Sequence, residues 1–328
     1  MSAFILVIYE FFDVYFSNKR VFMKVLVTGA HGFLGKTLCP LLRQRGDEVL
    51  EMSSKTCDLR DRNALNQFSK GQFDRIYHLA TWTQAGDFCL RHPAEQWLNN
   101  QKIHTNLLDW WLSDQPQAKM IAIGTSCAYD PAYPLEEKYY HTGAPIESLF
   151  AYGMTKRMLL AGLQSLQKQY GLEYFYPISP VLHGIDGFSA KKGKQMHFIF
   201  DLMKKIVRGK YFNEPVVLWG DGSQKRELMA ITDFSKALLQ LSDQESNEVI
   251  NIGEGKEYSI REFAQVIAER VGFPFEKVQF DTSRYVGARS KVMSIDKMKE
   301  KLPEFTPESA LQGILPVVDW LCEDPSRA

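Results

Sequence analysis

Lys24-Val25-Leu26-Val27-Thr28-Gly29-Ala30-His31-Gly32-Phe33-Leu34-Gly35 is the stretch on which the fold of this chain turns. Lys24 to Thr28 is a short apolar run ending in glycine, which reads as a buried strand. Phe33 to Arg45 follows with apolar residues at Phe33, Leu34, Leu38, Leu41 and Leu42, which predicts a helix. Glycines at 29, 32 and 35 permit a tight turn between the two. They also let backbone N–H groups approach a pyrophosphate at the positive end of the helix dipole. The plainer alternative is a tight strand–helix turn with no ligand.

The alternation continues outward from this stretch. Strands are expected at Glu48–Met52, Arg75–Leu79, Lys119–Ile123 and Glu173–Pro177, with helices at Asp61–Lys70, Ala94–Leu112 and Phe150–Tyr170. Strands and helices of those lengths imply an α/β fold, a doubly wound parallel sheet of Rossmann type. Beyond Pro177 the texture changes. A basic, polar loop is expected over 189–194, helices at His197–Arg208, Thr232–Leu241 and Ile260–Val271, and short strands at Val216–Leu218 and Val249–Ile252. Ser259 and Glu262 have the spacing of a capping box. The expected division is a dinucleotide-binding domain over 23–177 plus 219–255. A smaller substrate domain takes 178–218 plus 256–328.

Bulk properties exclude several classes. Lys plus Arg and Asp plus Glu balance at 39 each, so no field favours a nucleic acid or a membrane surface. Cys39, Cys57, Cys89, Cys127 and Cys322 are odd in number and form no Cys-x-x-Cys pair. That argues against a disulfide framework and a zinc knot, and for a reducing, cytoplasmic setting. No His/Asp/Glu cluster has metal-ligand spacing. Residues 1–22 are expected to be extra sequence before a natural start at Met23. A short interfacial or partner-binding helix is the alternative.

Tyr152 and Lys156 stand four apart at the opening of a helix and so share a face. An ammonium there can lower the phenol pKa and hold a cofactor ribose, and the phenol can exchange a proton with a carbonyl–carbinol pair. Thr125, at the carboxyl end of the fourth strand, is the candidate to hydrogen-bond the same oxygen, with Ser126 in reserve. Either hydroxyl could instead simply cap the turn.

The Gly-x-x-Gly-x-x-Gly spacing and the Tyr-x-x-x-Lys pair resemble the short-chain dehydrogenase/reductases. The stretch from Met23 to about Met298 resembles the extended members that act on nucleotide sugars. That resemblance implies a nicotinamide dinucleotide site of Gly29, His31, Gly32, Phe33, Leu34 and Gly35, then Ser53, Asp58, Leu59, Leu79 and Ala80, with Tyr152 and Lys156 at the reacting end. Asp58 matches the aspartate that binds the adenine amino group; a helix cap is its plainer role. After the second strand come Ser53, Ser54 and Lys55 rather than an acid. With His31 they suit a 2′-phosphate, so NADP(H) is favoured over NAD(H).

Trp219-Gly220-Asp221-Gly222 leading to Arg226-Glu227 resembles the family's Trp-Gly-x-Gly-x-x-x-Arg-Glu segment, which implies nucleotide contacts from Trp219 and Arg226. Within the family, the GDP-L-fucose synthase group is the nearest match. Ser126-Cys127-Ala128-Tyr129 and Met196-His197-Phe198-Ile199 are similar to segments holding its epimerase cysteine and histidine. Cys127 and His197 thus fall on those positions, Lys205 on a substrate-binding basic residue, and Lys291 in the C-terminal substrate segment that opens at Asp281-Thr282-Ser283-Arg284. The implied substrate is a 4-keto nucleotide sugar and the implied assembly a homodimer. A thiolate and an imidazolium suit epimerisation beside a ketone. Taken singly, each is more often a structural residue. Val181 and His183 replace a family asparagine and tyrosine, Trp82 stands where small residues are usual, and Ser290 replaces an arginine. These departures touch sugar and nucleotide recognition, so a simple 4-reductase or a 4-epimerase is the competing expectation.

Overall fold

The computed structural model describes residues 22–84, 88–189, 196–283 and 289–328. The expectations for residues 1–21, most of the basic loop at 189–194, and Arg284, Gly287 and Ala288 lie outside the described residues.

β1 is Lys24–Thr28. It feeds the glycine loop and a helix at Phe33–Arg45, which ends in a left-handed Gly46. β2 (Glu48–Met52) pairs with β1 in parallel register, Lys24 opposite Glu48 and Thr28 opposite Met52. β3 (Arg75–His78) flanks β1 on its other side. After the helix Pro93–Asp114 come β4 (Lys119–Ala122) and β5 (Gly124–Thr125). The helix Phe150–Tyr170 leads to β6 (Tyr174–Ser179). The remaining strands are β7 (Val181–His183), β8 (Val217–Trp219), β9 (Lys225–Arg226), β10 (Leu228–Ala230), β11 (Glu248–Asn251), β12 (Tyr258–Ser259) and β13 (Gln279–Asp281). The main sheet is parallel with order β11-β6-β4-β3-β1-β2, and β5 pairs with β6. The expected doubly wound α/β architecture is therefore the one observed.

Strand alternation divides the core between two faces. Along β1, Val25 and Val27 face Leu38, Leu42, Phe234 and Leu238. Leu26 points the other way, towards a cluster holding Ile76, Trp110, Trp111 and Leu159. Trp110 and Trp111 are wholly buried, and the Trp111 indole donates to Ala118 O at 2.8 Å. A third cluster joins the helices Phe198–Phe212, Ile260–Val271 and Leu315–Glu323 through Met203, Ile206, Phe263, Ile267, Val318 and Leu321. Between its members the chain returns to the main sheet: Met293 packs on one face, Ile295, Met298 and Leu302 on the other.

Pro177 stands inside β6. Asn247 donates to Tyr174 O and Ile252 donates to Ile178 O, so even-numbered residues face β11. The Pro177 ring therefore faces the other neighbour, where it has no N–H to offer. Pairing to β6 is interrupted there: β4 matches Met120 and Ile121 to Tyr174 and Phe175, and β5 resumes with Gly124 opposite Ile178. The strand expected to stop at Pro177 thus continues to Ser179. The helix expected over Asp61–Lys70 is a short 3-10 segment, Arg62–Gln67, capped by Asp61 accepting from the Asn63 N–H. No helix among the described residues is long and apolar enough to cross a membrane.

Candidate active site

The glycine loop has the shape of a cradle for a dinucleotide. Gly29 lies at φ +68, and a Cβ there would come within 2.8 Å of Ala80 N. A Cβ on Gly35 would come within 2.3 Å of Ala30 O. The loop is thus packed so tightly on its own backbone that only glycine fits. Gly32 opens the following helix with no side-chain cap, and its first turn holds no acidic residue. That leaves the helix N-terminus suited to a pyrophosphate. Leu79 N and Ala80 N hydrogen-bond to Thr28 O and Thr28 Oγ1, which sets the end of β3 beside the loop. Leu59 is buried, and Asp58 is paired with Arg60 at 2.6 Å.

At the 2′ end of that cradle a residue beyond the sequence reading emerges. His31 Nε2 lies 3.0 Å from Glu51 Oε2, and Arg43 Nη2 lies 2.6 Å from Glu51 Oε1. Arg43, in the last turn of its helix, thus shares Glu51 with His31. Ser53 folds into a local turn with Thr56, and Lys55 is exposed.

The reacting end is built by β5 and the helix Phe150–Tyr170. Thr125 and Tyr152 are close enough that the Thr125 side chain acts to lower the Tyr152 pKa. Lys156, buried on the next turn, donates to Ile123 O at 2.8 Å. Burial lowers its pKa to about 8. The causes acting on Tyr152 are burial and nearby groups other than Lys156. Burial, then the charge on Cys127, raises the Tyr152 phenol well above its usual value. A phenol that holds its proton is a donor, which suits reduction of a ketone.

Cys127 and His197 come from different parts of the chain, and the charges of Lys291 and Arg226 reach both. Lys291 Nζ lies 3.1 Å from Cys127 Sγ, and the Cys127 N–H donates to Thr125 Oγ1 at 3.2 Å. Burial by itself would raise the thiol. The Lys291 ammonium, hydrogen bonds from Lys291 and Thr125, and the Arg226 charge together outweigh it, so the thiol sits below its usual value. The opposite happens at His197, the residue that opens the helix Phe198–Phe212. Burial, then the Lys291 and Arg226 charges, push its imidazole down to about 4. His197 is exposed, so the two cations weigh more in this shift than burial does. Lys291 and Arg226 thus favour the ionised form of Cys127 and the neutral form of His197.

Other expected contacts are spread around this centre. Trp219 is 55% exposed at the end of β8, while Lys205 is paired with Asp201 at 2.7 Å along its helix. Trp82 packs on Phe88 and is bracketed by Asn100, which accepts from the Trp82 N–H and donates to its carbonyl. Val181 is half-buried and His183 fully buried. Ser290 donates to Glu257 rather than facing outward as a cation would.

Besides Arg43, four groups escaped the sequence reading. Buried Glu227 accepts from Gly255 N and Met293 N and holds two distant segments together. Its place beside Arg226 in the quoted motif was the available signal. Tyr140 accepts from Thr125 N through its hydroxyl at 3.3 Å. His78 and His104 form a buried chain from Thr28, each link 2.9 Å, and no local pattern announces it.

Comparison with known proteins agrees with this geometry. Residues 25–253 match the model of the NAD dependent epimerase/dehydratase family. The chain is 27% identical to a GDP-L-fucose synthase of Azorhizobium caulinodans over 88% of this chain and 93% of that protein. It is 26% identical to a dTDP-4-dehydro-6-deoxy-D-allose reductase of a Streptomyces species, over 90% and 95%. Among solved structures, a GDP-L-fucose synthetase from Naegleria fowleri bound to NADP superposes with TM-score 0.79 at 25% identity, covering 95% of this chain and 99% of that one. A dinucleotide cradle, a Tyr–Lys helix and a family match across most of the chain lead to one conclusion: this protein belongs to the NAD dependent epimerase/dehydratase family, whose members are nicotinamide-dependent enzymes, and within it is similar to the GDP-L-fucose synthases.

Proposed function

We propose that the chain is an NADP(H)-dependent epimerase/reductase of a 4-keto-6-deoxy sugar nucleotide, working as a GDP-L-fucose synthase does. The observation that carries this reading is a convergence: Lys291 Nζ lies 3.1 Å from Cys127 Sγ, the Lys291 and Arg226 charges also reach His197, and Cys127 acts on Tyr152. Thr125 and Tyr152 would hydrogen-bond the C4 ketone oxygen and so acidify the protons beside it. The Cys127 thiolate removes such a proton. His197, on the other face, takes up its own proton once a bound diphosphate offsets the Lys291 and Arg226 charges, and returns it to carbon. Bound NADP(H) supplies the hydride that reduces C4, and Tyr152 gives the proton to the resulting alkoxide. Trp219 and Arg226 serve the nucleotide, and Lys205 the substrate anion.

The working unit in this reading is a cytoplasmic homodimer. It has a cofactor domain built on the main sheet and a substrate domain built on the third core cluster. The helices Pro93–Asp114 and Phe150–Tyr170 leave between them a groove of about 490 Å³ lined by Leu108, Leu112 and Met158, which suits a second copy. His31 and Arg43 support NADP(H), with Glu51 as the carboxylate that a 2′-phosphate would displace. NAD(H) is the alternative.

The experiment is turnover of GDP-4-keto-6-deoxymannose with NADPH in deuterium oxide. Deuterium at C3 and C5 together with NADPH oxidation is expected. Reduction without deuterium at those carbons would instead favour a 4-reductase, a reading to which Val181 and Trp82 lend weight. No turnover with any 4-keto nucleotide sugar would defeat both. Tighter binding of NADH than of NADPH would overturn the cofactor assignment.

A further inference from the structure

We infer that Lys291 is a positioning residue for proton transfer, an ammonium fixed against the Cys127 sulfur so that residue 127 rests as an anionic base. The inference deepens the reading above, on which it rests for the role of Cys127. It also departs from the role that resemblance gives Lys291, which is contact with substrate.

The geometry begins with the 3.1 Å separation between Lys291 Nζ and Cys127 Sγ. A unit charge at that distance, partly shielded from water, favours the thiolate strongly. The chain around Lys291 is anchored on both sides. Glu257 accepts from the Lys291 N–H at 2.9 Å and from the Ser290 hydroxyl. The Glu227 N–H donates to Lys291 O at 3.2 Å, and the Glu227 carboxylate accepts from Met293 N at 2.9 Å. Two carboxylates are thus spent on the backbone and hydroxyl of 290–293. Ser290, standing where the family has arginine, supplies the hydroxyl that keeps Glu257 in this task.

The surroundings are consistent with a thiolate at 127. Arg226 adds a second positive charge and Thr125 a hydrogen bond. The other ionisable neighbours, Cys89, Tyr140 and Tyr152, are each held more firmly in their neutral forms by charge on Cys127. His197 is disfavoured as a cation by the same Lys291 and Arg226. Cys89, Tyr140, Tyr152 and His197 are therefore each biased towards their neutral forms, while Lys291 and Arg226 supply the positive charge that favours an anionic sulfur.

The test uses the full chain and reads Cys127 directly. Iodoacetamide labelling of Cys127 is followed by peptide mass spectrometry from pH 6 to 10 in the wild type, Lys291→Met and Lys291→Arg. At pH 7 the Met variant should label about tenfold more slowly, because loss of an adjacent charge moves a thiol by a unit or more. At high pH, where the Cys127 thiol ionises without help from Lys291, its rate should approach the wild type. The Arg variant should keep most of the low-pH reactivity. Labelling of Cys322, half-buried in the C-terminal helix, serves as the folding control. A Met profile that overlaps the wild type overturns the inference. So does a deficit that persists at high pH, since that would report access and not ionisation. Absence of deuterium exchange in the wild type, with the labelling shift present, would sink the epimerase reading and leave the Lys291–Cys127 pairing standing.

Discussion

Replacing Gly35 with alanine tests the cradle at its tightest point. The new Cβ would lie 2.3 Å from Ala30 O, 2.5 Å from Ala30 C and 2.6 Å from Ala30 Cα. All three are backbone atoms, so no side chain can swing away. Bringing the closest contact from 2.3 Å to the 3.0 Å below which such contacts are essentially never found requires the helix Phe33–Arg45 or the Ala30 turn to move by about 0.7 Å. Overpacking of this kind costs about 1–3 kcal/mol. The same displacement withdraws the helix N-terminus from the pyrophosphate, so NADPH binding should weaken about tenfold or more, as expected when a positioned anion site loses about 1.4 kcal/mol. Binding is read by NADPH fluorescence and stability by thermal unfolding. Gly171→Ala is the control: nothing lies within 4 Å of its Cβ, and its φ of +74 exacts only the backbone cost, about 1 kcal/mol. If Gly35→Ala binds NADPH as the wild type does, the cradle is not the cofactor site.

Three further outcomes follow from the same structure. Tyr152→Phe should cut turnover by about 10²- to 10⁴-fold while leaving the NADPH dissociation constant nearly unchanged, measured by steady-state kinetics beside fluorescence titration. Acid should destabilise the fold through the buried histidines: burial, then the Lys156 charge, hold His78 down at about 3 against its usual 6.5, and His104 is lowered likewise. A depressed folded-state pKa means the unfolded chain binds the proton first, so stability present above pH 6.5 is lost as pH falls towards 3, at up to about 1.4 kcal/mol per pH unit for each ring. A melting-temperature series from pH 7 to 4.5 should therefore fall less steeply in His104→Asn than in the wild type. Ser259→Ala should cost about 1 kcal/mol in chemical unfolding, because both halves of its capping box with Glu262 are made.

The helices whose ends carry local signals were legible residue for residue. Phe33–Arg45 lies between Gly32 and Gly46, Phe150–Tyr170 stops at left-handed Gly171, and Ile260–Val271 runs from Ser259 to Gly272. Asp61–Lys70 was less so: Asp61 caps a start, but Phe68 and the turn at Gly71 allow only a 3-10 segment. The glycines and the Tyr152–Lys156 pair could be read because each motif is contiguous. What escaped depends on contacts between remote residues. Lys291 and Cys127 meet across 164 positions. Arg43 and His31 converge on Glu51 only after β2 is laid beside β1. The directions of the Cys127 and His197 pKa shifts escaped for the same reason, since both respond to cations that the fold, not the local sequence, brings near.

The proline in β6 bears on how experiments at this centre are interpreted. Where the ladder is cut, side chains stand in for the missing strand partners. Lys156 Nζ binds Ile123 O, the Tyr140 hydroxyl receives Thr125 N, and Arg157 Nε donates to Ala128 O. Two of the three belong to the helix that carries Tyr152. The helix that carries Tyr152 and Lys156 is thus also the splice that holds the Thr125–Cys127 turn to the sheet. A kinetic deficit in a Lys156 variant will mix lost chemistry with a loosened turn, whereas Tyr152→Phe leaves the splice in place. The tyrosine is therefore the cleaner reporter of the proton step, and lysine variants need a structural control before any rate is assigned to charge.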